Sequence, residues 1–182
     1  TTFLLTVIFD LTIAIGFGLL LAVFGFLKRM NETTKVSRTT GSINMTDEME
    51  SHSGEIQEEL LHLPHGVEVY EIEGPFFFGV ANKFDEVMRD LHGHSHIRII
   101  RMRRVPFIDS TGLNNLEALC VKSKKEKIQI ILSGVQNSVR EKIIRSEIPS
   151  IIGEKNICDN IHLAVERAEI LDAKWREKHR HL

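Results

Sequence analysis

Cysteine is scarce in this chain, with two residues in 182. Cys120 and Cys158 stand far apart, form no CxxC pair and fall in segments that read as helix and loop, a usage that fits a reducing, cytosolic compartment. An excess of basic charge is also lacking, since the net charge is −2. Residues 1–63 carry four Lys/Arg against eight Asp/Glu, and residues 64–182 carry nineteen against seventeen. Neither part offers the cationic surface that nucleic acid requires, so no nucleic-acid partner is expected. The G-x-S-x-G signature of a hydrolase nucleophile is missing, and no internal repeat of 20 to 50 residues occurs. A starting Met is missing too: Thr1 lies inside an apolar run, and the chain reads as a piece of a longer one.

That run, TTFLLTVIFDLTIAIGFGLLLAVFGFLKRM, is the strongest physical signal present. Asp10 is its only ionisable residue before Lys28-Arg29, and an apolar run closed by basic residues is how a membrane segment meets the cytoplasmic face. A signal peptide would place its basic residues first. Leu11 to Leu27 rises about 26 Å, slightly under the ~30 Å of a hydrocarbon core, so the expected transmembrane helix is short. Residues 11–29 are assigned to it, and residues 1–10 to the end of a preceding membrane helix. Asp10 is a candidate on a substrate path, because burying a carboxylate in lipid is costly. Capping at a break between two short helices is the reading preferred over ion coupling. Ala14, Gly18 and Ala22 recur every four residues, as in helices that pack closely in lipid.

From residue 30 to 63 the composition turns polar. Asn44 to Leu63 holds Asp47, Glu48, Glu50, Glu55, Glu58 and Glu59 without Lys or Arg, which predicts a flexible or weakly helical acidic linker. The piece IQEELLHL could form a turn or two of amphipathic helix.

After Pro64 strand and helix patterns alternate. VEVYEIEG alternates like a strand with one covered face. FFFGVAN reads as a short strand and turn, and Asn82 caps a helix with Phe84, Val87, Met88 and Leu91 on one face. Ile97–Val105 and Ile128–Val135 read as strands. Helices are expected over Ser110–Lys125, from Asn137 to Pro149 and from Asn160 toward Trp175. This order predicts an α/β domain over residues 64–182, with a largely parallel sheet and helices packed on it. Leu113, Leu116, Cys120, Val139 and Ile143 are core candidates, Cys120 as a small apolar residue. The charged tail KWREKHRHL is expected to end in solvent.

Within VPFIDSTGLNNLE, Asp109-Ser110-Thr111-Gly112 lies where a strand ends and a helix begins, the edge of an open α/β sheet where ligands and partners bind. The helix N-terminus tolerates an anion, so a phosphate on Ser110 or Thr111 would be accommodated there. Gly112 lets backbones approach closely. Two other readings stand beside this one. Asp109 or Ser110 could simply cap the helix, or Ser110 could be a nucleophile, although no His or Cys base is near in sequence.

Arg98, Arg101, Arg103 and Arg104 crowd one strand. An anion or acidic-partner patch is one reading, but side chains that are solvated or paired are the preferred one. His92, His94 and His96 alternate in a Gly/Ser loop without carboxylate or Cys ligands nearby, and no metal is assigned to them. No cofactor is expected.

Three blocks, TVIFDLTIAIGFGLLLA with its basic end, GPFFFGVANKF and VPFIDSTGL, resemble in order and wording the last membrane helix and the STAS domain of SulP family anion transporters. The resemblance covers nearly the whole chain. It implies a STAS-type α/β fold with a mixed, largely parallel sheet of four to five strands. It also implies a secondary transporter, not an enzyme, moving sulfate, bicarbonate or a related anion, often by symport. Its membrane core would precede Thr1 and hold the substrate residues. The protein would be multi-pass in the inner (plasma) membrane, in contact with lipid, with a cytoplasmic STAS domain acting in assembly or regulation, a homodimeric state and a regulatory protein as partner. STAS domains also occur as anti-sigma factor antagonists phosphorylated on the Ser that matches Ser110, with Asp109, Thr111 and Gly112 around it. A membrane-tethered phospho-switch without transport is thus the alternative function, from which the acidic linker and the membrane helix depart.

Overall fold

The computed structural model describes residues 11–32, 35–39, 42–44, 60–76 and 95–179. It divides into two compact units, Thr1–Thr34 and Lys35–Leu182.

In the first unit, α1 is Leu11–Glu32. Its apolar side chains are exposed almost throughout, from Leu11 to Phe26. Ala14 is buried and Gly18 half-buried, so two of the three small residues at four-residue spacing mark the least exposed line on the helix. Among the described residues no helix is long and apolar enough to cross a membrane. The stretch with described side chains, Leu11 to Phe26, rises only about 24 Å against the ~30 Å of a hydrocarbon core. The expected transmembrane helix is therefore seen as an apolar helix with an exposed surface. Asp10 lies outside the described residues.

In the second unit, a five-stranded sheet has the order β1, β4, β5, β6, β7. These are β1 Lys35–Thr39, β4 Val67–Glu73, β5 Ile97–Arg104, β6 Gln129–Ser133 and β7 Ile157–Cys158. Only the β1–β4 pair is antiparallel; the other three are parallel. A separate ribbon joins β2 Ser42–Asn44 and β3 Leu60–His62. Part of the segment expected as a linker is therefore paired: Val36 and Arg38 lie opposite Ile72 and Tyr70 at the sheet edge. The rest of it, residues 45–59, lies outside the described residues, as does the helix expected after Asn82.

The helices are α2 Ser110–Lys125, α3 Asn137–Ile144, α4 Ile148–Ile152 and α5 Ile161–His179. One helix was expected from Asn137 to Pro149, but there are two. Pro149 sits in the first turn of α4, where its missing N–H is no loss, instead of ending α3. Asn160 caps α5 by accepting from Leu163 N at 2.9 Å.

The sheet is covered on both faces. Tyr70, Ile72, Ile100, Met102, Ile130 and Leu132 pack with Leu116, Leu119, Cys120, Val139 and Ile143 of α2 and α3. Val67, Val69, Ile97, Ile99 and Ile131 pack with Ile161, Ala164, Val165 and Ala168 of α5. The alternation in VEVYEIEG pointed to one covered face, yet Val67, Glu68, Val69 and Tyr70 are all buried. Glu68 occupies an interior position because charge opposes it. Parallel pairing places Glu68, Glu71 and Glu73 level with Arg98, Arg101 and Arg104. The ion pairs measure 3.9, 3.3 and 2.5 Å. Tyr70 Oη and Ser95 Oγ both donate to Glu68 Oε2, at 2.7 and 2.8 Å.

Truncating one member of a buried pair leaves its partner uncompensated, whereas an exposed pair contributes little. Glu68→Ala is expected to cost about 3–5 kcal/mol, and Glu73→Ala, at the half-exposed end, under about 1 kcal/mol. Denaturant unfolding of both variants checks this, and equal losses would refute the burial argument.

Candidate functional site

The site starts from the end of β5. Beyond Arg104 the chain stops pairing with β4 and leaves the sheet as Val105-Pro106-Phe107-Ile108-Asp109. Phe76 N donates to Phe107 O at 2.9 Å, Asp109 N donates to Phe76 O at 3.4 Å, and Phe76 and Ile108 form an isolated parallel bridge. Phe76 and Ile108 are themselves fully buried. The segment after β4 thus clamps the loop before α2.

Asp109 is the N-cap of α2, with extended backbone, and its Oδ1 accepts from Gly112 N at 2.6 Å. This resolves the capping question in favour of Asp109. Ser110 is the first helical residue; Ser110 and Thr111 are exposed, and Gly112 is buried. The Ser110 hydroxyl has no hydrogen-bond partner among the described residues, so no imidazole or thiol there is placed to activate it. A Cβ on Gly112 would run into the Phe76 carbonyl oxygen, and would lie 2.9 Å from Phe76 Cδ1 and 3.1 Å from Asp109 Oδ1. Glycine is required here by close packing.

The carbonyls of this loop are gathered by side chains of α3 and the residue before it. Gln136 Nε2 donates to Arg103 O at 2.7 Å, Ser138 Oγ to Pro106 O at 3.2 Å, and Lys142 Nζ to Ile108 O at 2.7 Å. The Lys142 ammonium also lies 4.2 Å above the Phe107 ring, and Phe107 is 45% exposed. The exposed face is therefore a capped helix start with two free-standing hydroxyl residues, an aromatic side chain and an ammonium group. It can receive an anion or a protein surface; it contains no assembled nucleophile and base among the described residues.

Sequence reasoning placed Asp109, Ser110, Thr111 and Gly112 together, and they are together. It missed Gln136, Ser138 and Lys142, since nothing in NSVREKII marks which side chains reach a loop some thirty residues earlier. For the arginines it preferred solvated or paired side chains to an anion patch, without naming the partners. A detectable signal existed, because glutamates in VEVYEIE match arginines in IRIIRMRR at nearly the same spacing. Arg98 and Arg101 are buried and paired, not solvated.

Of the histidine run, His92 and His94 lie outside the described residues. His96 Nε2 lies 2.8 Å from Asp172 Oδ1, and its ring stacks on Trp175 with centroids 4.1 Å apart. Both cysteines are free and buried. Burial, with Glu117 adding to it, pushes the Cys120 thiol up to about 12; burial also raises Cys158, against the opposing charge of Arg167.

Gly112→Ala should destabilise the domain by about 1–3 kcal/mol through overpacking against the Phe76 backbone. Asp109→Ala should cost about 1 kcal/mol as a lost cap, and Ser110→Ala distinctly less than either, all read from chemical unfolding. Cys120 should resist alkylation in the folded chain at neutral to mildly alkaline pH and react at once after unfolding, because only the thiolate is nucleophilic. Rapid labelling of Cys120 in the native protein would contradict its burial.

The STAS domain model matches residues 61–167. The putative sulfate transporter YvdB of Bacillus subtilis is 27% identical over 160 residues, covering 87% of this chain and 28% of that protein. The chain therefore spans little more than a quarter of that curated relative. A sulfate transporter family protein from Wolinella succinogenes is 36% identical, with a TM-score of 0.58, over 62% of this chain and 93% of that one. The SulP transporter STAS domain from Vibrio cholerae is 32% identical, with a TM-score of 0.53, over 70% of this chain and 97% of that one.

Proposed function

The chain belongs to the STAS domain family, in its SulP transporter branch, and from that premise we propose that it is the C-terminal portion of a secondary anion transporter. Residues 11–29 are its last membrane helix, and the STAS domain lies on the cytoplasmic side of the inner (plasma) membrane. The observation that carries this reading is one of extent. The similarity to YvdB runs over 87% of the chain, more than the STAS match alone covers. An apolar helix with its side chains outward is what lipid contact requires.

Sulfate, bicarbonate or a related inorganic anion is the substrate class, bound by residues that precede Thr1 and driven by a coupling ion in symport. The STAS domain serves assembly, as a homodimer, or regulation. Ser110 is its regulatory position, with Thr111 beside it, and Asp109 and Gly112 shape the loop. Support comes from exposure and place: an exposed hydroxyl without a partner among the described residues, at the start of a 16-residue helix and two residues after the Ile108 carbonyl to which Lys142 donates. A phosphate there meets a helix N-terminus, which favours negative charge.

Vesicles carrying the full-length protein are expected to take up one of sulfate, bicarbonate or a dicarboxylate above empty vesicles. Ser110→Asp should change that rate by about 5- to 150-fold, the range of ordinary allosteric coupling. Uptake of none of these would favour the tethered phospho-switch, and transport indifferent to Ser110→Asp would remove the switch while leaving the transporter.

A further inference from the structure

The geometry points to Lys142 as a two-position latch on the loop before α2, an inference that rests on the reading of Ser110 as the regulatory position. In the unmodified chain Lys142 caps the Phe107 ring; a phosphate on Ser110 draws it off that ring. Lys142 differs from the other side chains that gather this loop. Gln136 and Ser138 are neutral donors to Arg103 O and Pro106 O, and the Phe76 backbone holds Phe107 O and Asp109 N. These bonds already fix the loop backbone. Lys142 adds a full charge, with Nζ donating to Ile108 O at 2.7 Å and lying 4.2 Å from the centre of the Phe107 ring. Its side chain is exposed, and no carboxylate is paired with it among the described residues. A neutral carbonyl and an exposed cation–π contact are both weak holds on an ammonium group.

A phosphorylated Ser110 would carry about −1.5 to −2 charge and three acceptor oxygens. Hydrogen bonds between ionised groups are roughly twice as strong as neutral ones, so the phosphate outcompetes both present partners of Lys142. It is also within reach. Two peptide units separate Ile108 from Ser110, which puts their Cα atoms at most about 7 Å apart. Lys142 already touches the first of these residues, and its charge rides on a flexible four-carbon stem. The Ser110 hydroxyl is exposed and has no partner among the described residues, so its modification displaces no existing bond. Asp109 stands next to it, engaged with Gly112 N, and a phosphate beside that carboxylate is like charge that a mobile cation offsets. Arg140, two residues before Lys142, is paired with Asp159 and is not the mobile cation. Once Lys142 has moved, Phe107 keeps its place, because other bonds hold its backbone, but it loses its ammonium cover. A charge placed on Ser110 is thereby converted into a bare aromatic ring three residues earlier.

The test uses the whole chain in detergent with isotope-labelled lysine, made with either serine or translated phosphoserine at position 110. NMR reads the Lys142 ε-methylene signal, identified by its loss in Lys142→Arg. In the serine form that signal should lie upfield of the other lysines, because protons above an aromatic ring are shielded, and Phe107→Leu should remove the shift. In the phosphoserine form it should move to the Phe107→Leu position and return upfield after phosphatase treatment. In parallel, the phosphorus resonance of the phosphoserine should titrate at higher pH in Lys142→Gln than in the unsubstituted chain, since a nearby ammonium favours the dianion. A Lys142 signal that is not upfield in the serine form, or that stays upfield in the phosphoserine form, overturns the latch. A phosphate titration indifferent to Lys142→Gln overturns it as well. The phosphatase comparison uses unsubstituted side chains and decides the matter even if Phe107→Leu fails to fold. Because translation installs the phosphate, no outcome depends on a kinase, and the regulatory reading of Ser110 fails separately, through uptake indifferent to Ser110→Asp.

Discussion

The parallel pairing of β4 with β5 is the constraint from which the rest of the domain follows. Both strands lie inside the sheet and are covered on both faces, so neither has a solvent side to fix its register by polarity. A shift by one residue would exchange the residues facing α2 with those facing α5. The Glu68–Arg98 and Glu71–Arg101 matches oppose such a shift, because a misplaced step would bury unpaired charge. Hydrophobic burial supplies the stability of this pair, and charge supplies its alignment. Glu68 shows the division, with one carboxylate oxygen serving Tyr70, Ser95 and the Arg98 ion pair in a site that water barely reaches.

That alignment reaches the candidate loop before α2 through covalent continuity. The register shifts between Glu71 and Glu73, and the chain beyond β4 then lies where Phe76 can bridge to Ile108. Once the Phe76 carbonyl occupies that place, residue 112 can carry no side chain. The glycine of DSTG is thus fixed by a strand more than thirty residues earlier, and the aspartate by the helix start it must cap. Ser110 and Thr111 are left without a packing role, which is the state expected of residues available to a partner.

Much of this was legible in the sequence, and the failures have physical causes. The α/β order, the helix from Ser110 to Lys125 and the core role of Cys120 were readable because periodicity and caps are local. The edge strand β1 was not, since KVSRT has little apolar content and its partner β4 lies some thirty residues away. The burial of Glu68 escaped as well, because alternating hydrophobicity reports one covered face and cannot show a second face closed by paired charge. At the site, Asp109 to Gly112 could be found as a motif. Lys142, Ser138 and Gln136 could not, because hydrogen bonds to backbone carbonyls across a fold leave no mark in spacing.

The energetic scale of the site limits its role. A phosphate or a docked partner at an exposed helix start gains a few charge-assisted hydrogen bonds, and coupling between such sites is typically 1–3 kcal/mol. An effect of that size can bias an equilibrium between two conformations, but it does not reverse one held at a ratio of about 10⁴. On the proposed transporter reading, the free energy for concentrating an anion would come from a coupling ion gradient and not from this domain. On that same proposed reading, a domain built on a charge-aligned sheet with an exposed helix start is suited to setting how often transport states are visited. It is not suited to supplying the work of transport.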